Sequence, residues 1–518
     1  MRGGLRIWRA LERAREINLA EAGEQPPVPG DDSITRRRML ALLAGATGAA
    51  MLPRSPAYAR PARRVAIVGG GLAGLTALDR LRANGVDATL YEARGAVGGR
   101  TRSVRGVFAR DFAFDEGAQL VNTDHRDVIG LLDRFGLRRV ERARFGTPHE
   151  IQIGRDGAAV SEEAIAEALR GVARQIDRDY RRIDGNEAAV REIDAMSVAD
   201  YLTRAGLPAG DARDALEAGV RTEYGSEPRD ATALELLWNL PVVDGHHVTR
   251  ISLSDEVWVV DGGTGQIAQR LAAPLRRHIR LGKRLTHVDS GPNGVRLRFA
   301  DGERITAHRA IVALPASLLR EIRFTGDLPE QWRAFIAEAD LGRNEKVIVG
   351  YDRQSWRERL GFAGALWGAG DFSAVWDAAS MTPSPNSQPG ALTYFLGGAQ
   401  VEAARGAGAR ALAARFSSAA RRVLPNLPAP NGRVRRTRWC EDPLTKGAYM
   451  NFRPGQYSRF ASLLTMEEEG RTPRPSQAGS LLFAGEFLSD AWPGYMNGAV
   501  QTGRVAADAA MERLALAA

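Results

Sequence analysis

Cysteine is almost missing from this chain, which has one, Cys440, among 518 residues. A single cysteine cannot form an internal disulfide, and it cannot supply the thiolate sets that bind zinc or iron–sulfur clusters. Long apolar runs are missing as well. Beyond residue 60 no segment reaches the roughly 18 apolar residues of a membrane span, so we expect the chain from Arg60 onward to be soluble.

Lysine is also scarce, because the 71 basic side chains include only three lysines, Lys283, Lys346 and Lys446. The formal charge of +9 comes mainly from arginines scattered among acidic residues, without the long basic stripe of nucleic-acid-binding proteins. We therefore expect no nucleic-acid partner, and we predict no metal site. Lys346 is unusual because it directly precedes the apolar stretch "VIVGY", which is typical of a buried strand.

The first 59 residues have the pattern of an export segment. Arg36 and Arg37 precede a modest apolar run that is too short to span a membrane, and the small residues "AYA" at 57–59 offer a cleavage site. The order "TRRRML" at 35–40 resembles the twin-arginine signal of bacteria, which carries already folded proteins across the inner membrane. That resemblance implies recognition by the twin-arginine translocase and a periplasmic or secreted location.

A dinucleotide-binding motif follows the export segment. A short β-rich run leads into Gly69, Gly71 and Gly74 in the spacing GxGxxG, and an apolar helical face and a second β-rich run come next. Glycines in this pattern allow a tight turn and let a pyrophosphate approach the N-terminus of the helix. Glu92 ends the second run, where an acidic residue can hydrogen-bond ribose hydroxyls. Together these features predict a dinucleotide site.

The segments beyond this motif resemble the flavin amine oxidase family, which includes monoamine, L-amino acid and polyamine oxidases. The matching segments are "EARGAVGGRTRS" (92–103), "FDEGAQL" (114–120), "VVDGGTGQIAQRLA" (259–272) and "LLFAGEFLSDAWPGYMNGAV" (481–500). The resemblance extends over about residues 63–510 and implies FAD as the cofactor. By this resemblance the FAD-binding residues are Gly69, Gly71, Ala73, Gly74, Glu92, Arg94, Gly99, Arg100, Gly117, Ala118, Leu285, Trp439, Gly485, Glu486, Tyr495 and Met496.

The resemblance also assigns parts of FAD to some of these residues. Arg94 and Arg100 would lie over the phosphates, where guanidinium groups bind well. A residue near Leu285 would contact the adenine through its backbone, and Trp439 would pack against the isoalloxazine ring. Monoamine oxidases carry a cysteine bonded to the flavin where this chain has Ala448, so we expect FAD to be bound non-covalently.

Three residues are expected to carry the chemistry. Tyr449 and Tyr495 match the two positions at which monoamine oxidases place facing aromatic rings before the flavin. Such a pair can hold an amine and direct its α-carbon toward the flavin. "RNEKVIVGYD" (343–352) resembles the family's strand whose lysine holds a water at the flavin, and its lysine is Lys346. A compact ammonium whose pKa can fall on burial suits that role better than an arginine does.

The expected fold class is α/β, with a Rossmann-like FAD-binding domain and an inserted α+β substrate domain, as in the two-domain architecture of amine oxidases and glutathione reductase. The gap between the cofactor segments is mostly helical in pattern up to residue 254, and strands mix with an Ala-rich helix near 400–420. We expect an export segment at 1–59, a discontinuous FAD domain at 60–125, 255–325 and 436–518, and a substrate domain at 126–254 and 326–435.

The expected reaction is oxidation of an amine at its α-carbon to an imine, which water hydrolyses to an aldehyde or ketone. O₂, giving H₂O₂, or a periplasmic cytochrome or quinone would reoxidise the flavin. An L-amino acid oxidase, an FAD-dependent desaturase and a non-catalytic flavin-binding protein remain alternatives. The first would need an arginine for the substrate carboxylate, and this chain has "GAQL" where that subgroup has Met-Arg. Relatives are often dimers, so a homodimer is an open alternative for the quaternary structure.

Overall fold

A six-stranded sheet carries the dinucleotide motif. In this computed structural model its strands are ordered Ile279–Arg280, Asp87–Tyr91, Arg64–Val68, Arg309–Val312, Leu481–Phe483 and Gln477–Ala478. The first five run parallel, and the last pairs antiparallel at the edge. The structure describes residues 6–24, 28–29, 36–44, 64–238, 241–244, 247–250, 255–292, 294–368, 370–380, 384–468 and 470–516.

Two helices cover the central sheet. The helix Leu72–Ala83 directly follows the first strand of the motif, and the last helix, Met496–Leu516, packs against it. Both strands predicted around the glycines are confirmed, and the last helix begins one residue after the predicted start. Parallel strands joined by helices place their carboxyl ends at one edge, and a ligand crevice forms there. This architecture confirms the predicted α/β fold class.

A second, seven-stranded sheet supports the other side of the crevice. Its order is Val434–Arg436, Asn344–Tyr351, Gly390–Gly397, Ala374–Asp377, Ala365–Trp367, Glu150–Ile153 and Ala159–Val160. Every residue of Asn344–Tyr351 is buried, as the apolar stretch after Lys346 predicts. Smaller sheets are formed by Arg304–Ala307, Gly294–Phe299, Leu285–Gly291 and Arg323–Gly326; by Leu120–Val121, Trp258–Val260 and Arg139–Glu141; by Val28–Pro29, His247–Arg250 and Pro241–Asp244; by Ser103–Arg105 and Ala113–Asp115; and by Asp340–Leu341 and Met450–Asn451.

Helices dominate the segment between the first two cofactor blocks, as expected from the sequence. The remaining α-helices are Arg6–Glu21, Arg36–Ala44, Arg126–Arg134, Glu162–Ile183, Glu187–Asp194, Val198–Arg204, Asp211–Tyr224, Ala233–Trp238, Gly265–Ala272, Ala316–Leu319, Glu330–Glu338, Arg357–Leu360, Ala399–Ala404, Ala409–Arg421 and Gln456–Phe460. Short 3₁₀ helices span Arg142–Phe145, Ala273–His278, Ala461–Leu463 and Glu486–Leu488. Within the residues that the structure describes, no helix combines the length and the apolarity needed to cross a membrane.

Two N-terminal helices lie against the body of the protein. The helix Arg6–Glu21 packs along Glu162–Ile183, and Arg15 forms an ion pair with Asp177 at 2.8 Å. The helix Arg36–Ala44 buries Met39, Leu40 and Leu43. Both helices fall within the segment expected to direct export, whereas the expected cleavage site at 57–59 lies outside the described residues.

One arginine of the expected twin-arginine pair is anchored. The Arg37 guanidinium lies 2.7 Å from the carboxylate of Asp490, whose side chain is completely buried. It also lies over the ring of Trp492 at 5.3 Å. Asp490 accepts further hydrogen bonds from the Gln501 side chain and the Glu467 backbone, each at 3.0 Å. The N-terminal helix is therefore fixed to the loop that leads into the last helix.

Candidate active site

The glycine turn forms a cradle at the carboxyl end of the central sheet. Gly69 has a φ of 108°, which favours glycine, and a Cβ there would lie 2.3 Å from the Ala313 carbonyl. A Cβ on Gly74 would lie 1.9 Å from the Gly69 carbonyl, so this glycine lets the helix pack closely on the turn. A Cβ on Gly71 would meet nothing within 4 Å. The turn thus leaves open space in front of the helix N-terminus, where a pyrophosphate can bind.

Glu92 is held beside this turn by backbone donors. Its carboxylate accepts hydrogen bonds from the Gly70 amide at 2.6 Å and the Arg94 amide at 2.7 Å. The side chain is 8% exposed and lines the cavity in front of the glycines. Two backbone donors fix the orientation of the carboxylate, and its remaining lone pairs can accept hydrogen bonds from a ribose.

The two predicted phosphate-binding arginines are fixed by residues from the other end of the chain. Arg94 donates to Asp442 at 2.8 Å and to the Thr445 hydroxyl at 2.9 Å. Arg100 donates to the Glu486 carboxylate at 2.7 Å and to the Ala448 carbonyl. Both arginines line the cavity, so they face the crevice and are not simply solvated surface charges.

Trp439 borders the same crevice, as the resemblance implies. Its ring is 5% exposed, and its indole N–H donates to the Glu116 carbonyl at 3.0 Å. The Arg102 guanidinium lies over the ring at 4.6 Å. The next residue after Glu116 is Gly117, where a Cβ would lie 1.8 Å from the Arg100 carbonyl. These contacts fix a flat aromatic side chain at the side of the cradle.

Lys346 is buried at the centre of the site. Its ammonium donates to the carbonyls of Asp115 at 3.0 Å and Gly117 at 2.7 Å, and it lies 5.8 Å from the centre of the Trp376 ring. The side chain lines the cavity and is 6% exposed. Burial lowers its pKa from 10.5 to about 8, and nearby carboxylates, first Asp115, partly oppose this shift. A surface position for this lysine is thereby excluded.

The two predicted cage tyrosines come together although 46 positions separate them in the sequence. Tyr449 donates its hydroxyl to the Thr222 carbonyl, and its ring lies beside Gly494, where a Cβ would be 3.7 Å from it. Tyr495 follows Gly494 and packs edge-on against His125 at 5.0 Å. Burial lowers the His125 pKa to about 3, so this imidazole is neutral. The cage therefore has a neutral, aromatic support.

A cavity of about 870 Å³ connects these groups. Of the predicted site residues, those that line it are Gly69, Gly71, Ala73, Glu92, Arg94, Gly99, Arg100, Gly117, Ala118, Lys346, Trp439, Tyr449, Gly485, Glu486, Tyr495 and Met496. Gly74 lies behind the turn, where it serves helix packing. Leu285 lies in the strand Leu285–Gly291 with its side chain in the hydrophobic core, and it does not line the cavity.

Sequence reasoning did not identify several residues that line the cavity outside the cradle. Trp376 donates its indole N–H to the Gln119 side chain at 3.1 Å, and both residues line the cavity near Lys346. Glu223 and Glu256 also line the cavity. Burial raises their pKa values to about 8 and about 7, and the charge of Glu256 contributes to the shift at Glu223. No local motif marks these four residues, because each lies in a separate segment without a recognisable pattern.

The cradle fits FAD. The open turn in front of a helix N-terminus suits a pyrophosphate, Glu92 suits a ribose, and the buried wall at Trp439 suits a flat ring system. The last helix begins at Met496, which lines the cavity, so its amides lie at the far end of the crevice. The positive end of a helix dipole at that place favours a negatively charged ligand group.

Comparisons with known proteins agree with this geometry. The family described as "Flavin containing amine oxidoreductase" matches residues 72–511. The chain is 25% identical over 461 residues to the bovine "Amine oxidase [flavin-containing] B", covering 86% of this chain and 85% of that protein. It is 28% identical over 455 residues to "(S)-6-hydroxynicotine oxidase" of Paenarthrobacter nicotinovorans, covering 86% and 98%.

A solved structure of putrescine oxidase bound to putrescine has the same fold, with a TM-score of 0.72 at 23% identity over 88% of this chain and 99% of the other. Because the family match covers most of the chain, the predicted family, the FAD cofactor and the enzyme class are confirmed. The chain belongs to the flavin-containing amine oxidoreductases and is an FAD-dependent oxidoreductase of the amine oxidase type.

Proposed function

We propose that this enzyme oxidises an amine at its α-carbon to an imine, which water hydrolyses to an aldehyde or ketone and ammonia or a smaller amine. The observation that carries the proposal is that Lys346, Tyr449 and Tyr495 line one cavity together with the dinucleotide cradle. The neutral amine lies between the two tyrosine rings, which offer their π faces and hold its α-carbon in place. FAD, when bound, accepts the hydrogen and the two electrons that leave that carbon.

The tyrosines and their supports determine how the amine is held. The hydrogen bond from Tyr449 to the Thr222 carbonyl fixes the ring angle, and neutral His125 supports Tyr495 without adding a charge that would repel an ammonium. The amine must lose its proton before its α-carbon can be oxidised. An aromatic cavity that disfavours unpaired charge promotes that loss.

Lys346 assists the half-reaction in which the acceptor reoxidises the reduced flavin. With O₂ as acceptor, negative charge develops on oxygen, and a buried ammonium held by two carbonyls stabilises it without reorganisation. The product is then H₂O₂; a periplasmic cytochrome or quinone is the alternative acceptor. Since Ala448 takes the place of the cysteine that monoamine oxidases bond to their flavin, we also propose that FAD is held non-covalently.

An α-amino acid is a poorer fit to this cavity than a simple amine. Besides the two arginines of the cradle, Arg9 and Arg142 line the cavity. Arg9 is paired with Glu150 at 2.8 Å, and Arg142 donates to the carbonyls of Glu256 at 3.2 Å and Ala363 at 3.3 Å. Its guanidinium also lies 3.7 Å from the Glu256 carboxylate. A substrate carboxylate would thus meet an occupied arginine and the acidic side chains of Glu223 and Glu256.

We also propose that the protein is exported by the twin-arginine route to the periplasm or beyond. The support is the order of residues 35–40 and the small residues at 57–59. Arg37 is bound to Asp490 in the folded chain. The translocase can therefore recognise the arginine pair only after the helix Arg36–Ala44 dissociates from the rest of the protein. Processing at 57–59 would show as a mature N-terminus near Arg60 in the periplasmic fraction.

Product stoichiometry tests the proposed reaction. Full-length protein reconstituted with FAD is incubated with a primary amine in air, and ammonia, carbonyl product and H₂O₂ are measured. One equivalent of each per amine consumed is expected. A desaturated product without ammonia would contradict amine oxidation and favour a desaturase. Carbonyl product and ammonia without H₂O₂, formed only with an added quinone or cytochrome, would exclude O₂ as the acceptor.

A further inference from the structure

Several acidic side chains that do not belong to the dinucleotide cradle also line the cavity. Glu223 comes from the last turn of the helix Asp211–Tyr224, Glu235 from the helix Ala233–Trp238, and Glu256 from the segment before the strand Trp258–Val260. Glu235 is buried and accepts a hydrogen bond from the Tyr457 hydroxyl. The carboxylates of Glu223 and Glu256 are less well compensated.

Glu223 is the least compensated of the three. In the part of the chain that the structure describes, its carboxylate has no hydrogen-bond or ion-pair partner, although it is enclosed in the cavity. Its backbone neighbour Thr222 accepts the Tyr449 hydroxyl, so Glu223 lies directly beside the aromatic cage. Glu223 is half-buried. A carboxylate in that position without a partner loses part of its hydration, and a cationic ligand would favour its charged form.

Glu256 is held in place by contacts to its backbone. Its φ of 44° is rare for a residue other than glycine, and its amide donates to the Asn122 side chain at 3.1 Å. Arg142 donates to its carbonyl at 3.2 Å but stands 3.7 Å from its carboxylate, which is too long for a good hydrogen bond. Strained backbone at a ligand cavity is typical of positions kept for function.

These carboxylates are close enough to affect the cage and each other. The charges of Glu223 and Glu256 both raise the pKa of Tyr449, and the charge of Glu256 also raises the pKa of Glu223. The described residues contain no group of three or more His, Cys, Asp or Glu side chains suited to a metal ion. An organic ammonium therefore suits the pair better than a metal ion does.

We propose that Glu223 and Glu256 form a subsite for a second positive charge on the substrate, so that the enzyme prefers diamines or polyamines to monoamines. This inference rests on the proposed amine oxidation. One amine loses its proton and reacts between Tyr449 and Tyr495, while the other remains an ammonium and binds between the two carboxylates. The chemistry at the α-carbon is unchanged; the subsite determines which amines are positioned for it.

The test compares amines that differ only in the distal group. Flavin reduction is followed anaerobically by stopped flow with α,ω-diaminoalkanes of three to eight carbons and with monoamines in which a methyl group replaces the second ammonium. For wild type, the ratio of the reduction rate constant to the apparent Kd should be at least about tenfold higher for the best diamine than for its matched monoamine. The diamine pairs its second ammonium with the carboxylates, whereas the monoamine leaves them unpaired. In Glu223→Gln this preference should fall to near one, because the diamine loses a carboxylate that binds its second ammonium.

Matched variants separate the subsite from a general effect of charge. Glu141→Gln removes a carboxylate from an exposed position at the cavity margin, where solvent screens it, and should keep the preference. Glu223→Asp retains the negative charge and should keep part of the preference for diamines. This variant provides a readout if the glutamine variant folds poorly. A ratio near one in wild type, or an equal loss for both amines in Glu223→Gln, would overturn the subsite. If no amine reduces the flavin at all, the proposed function itself fails.

Discussion

Replacing Lys346 by methionine should slow the reaction with O₂ and leave amine oxidation largely intact. The variant should fold, because two opposing effects are similar in size. Lowering the pKa from 10.5 to about 8 means that burial disfavours the charged lysine by roughly 3 kcal/mol, which methionine relieves. The Asp115 and Gly117 carbonyls each lose their hydrogen-bond donor, and each loss should lower the free energy of unfolding by about 1 kcal/mol. We therefore expect a change in stability within about 2 kcal/mol.

The effect on the oxygen reaction should be much larger than the effect on folding. Removing one preorganised donor from a developing anion typically slows a reaction about 100-fold. In wild type the rate should fall as pH rises through about 8, because the lysine is charged below this pKa and neutral above it. In Lys346→Met the rate should be low at every pH, without that inflection.

Double-mixing stopped flow measures the two half-reactions separately. The enzyme is reduced anaerobically with a slight excess of amine and then mixed with buffers of known O₂ content between pH 6 and 10. Lys283→Met is the matched control, because Lys283 pairs with Asp301 and Glu303 away from the cavity. An unchanged oxygen rate in Lys346→Met, or a pH inflection near 8 that persists in it, would refute the assigned role.

Three further predictions follow from the cage, the N-terminal helix and the cofactor site. Tyr449→Leu should raise the apparent Kd for amine about tenfold in anaerobic titrations while FAD content stays unchanged; loss of FAD would argue against the cage. Arg37→Gln should lower the melting temperature, because the buried Asp490 carboxylate loses its cation at a cost of about 1–3 kcal/mol, whereas Arg13→Gln, in an exposed pair with Glu16, should not. Acid precipitation should release all FAD into the supernatant; flavin retained in the pellet would contradict non-covalent binding.

The cofactor cradle could be predicted from the sequence because its determinants are local. Gly69, Gly71 and Glu92 lie within 24 residues, and the strands and helix between them follow from hydrophobic pattern. Lys346 could be singled out for a similar reason, since a rare residue type precedes a strongly apolar stretch. The two tyrosines required the family resemblance, because spacing alone does not bring positions 449 and 495 to one cavity.

The substrate wall could not be predicted, because it is assembled from distant segments. Glu223 lies in the last turn of a helix and Glu256 in a short connecting segment, and from the sequence alone each has the pattern of a solvated surface charge. Their importance arises only from enclosure, which depends on tertiary packing. Gly74 belongs to the same GxGxxG spacing, and its missing side chain permits the helix to approach the Gly69 carbonyl.

The N-terminal segment combines the pattern of an export signal with packing against the folded protein. Its arginine pair and apolar run indicate an export signal, yet the same residues pack on the folded body through Met39, Leu40 and the Arg37–Asp490 ion pair. A short apolar run can therefore serve as part of an export signal and can also pack its apolar side chains on the surface of the folded protein.

An amine should reduce the flavin of this protein. Purified full-length protein is freed of oxygen, its visible spectrum is recorded, and primary, secondary and α-amino-acid amines are added one at a time before air is admitted. We predict that the flavin band near 450 nm, a wavelength set by the flavin itself, bleaches with particular amines and returns with air. A protein that binds flavin but is reduced by none of these amines would contradict the proposed amine oxidation.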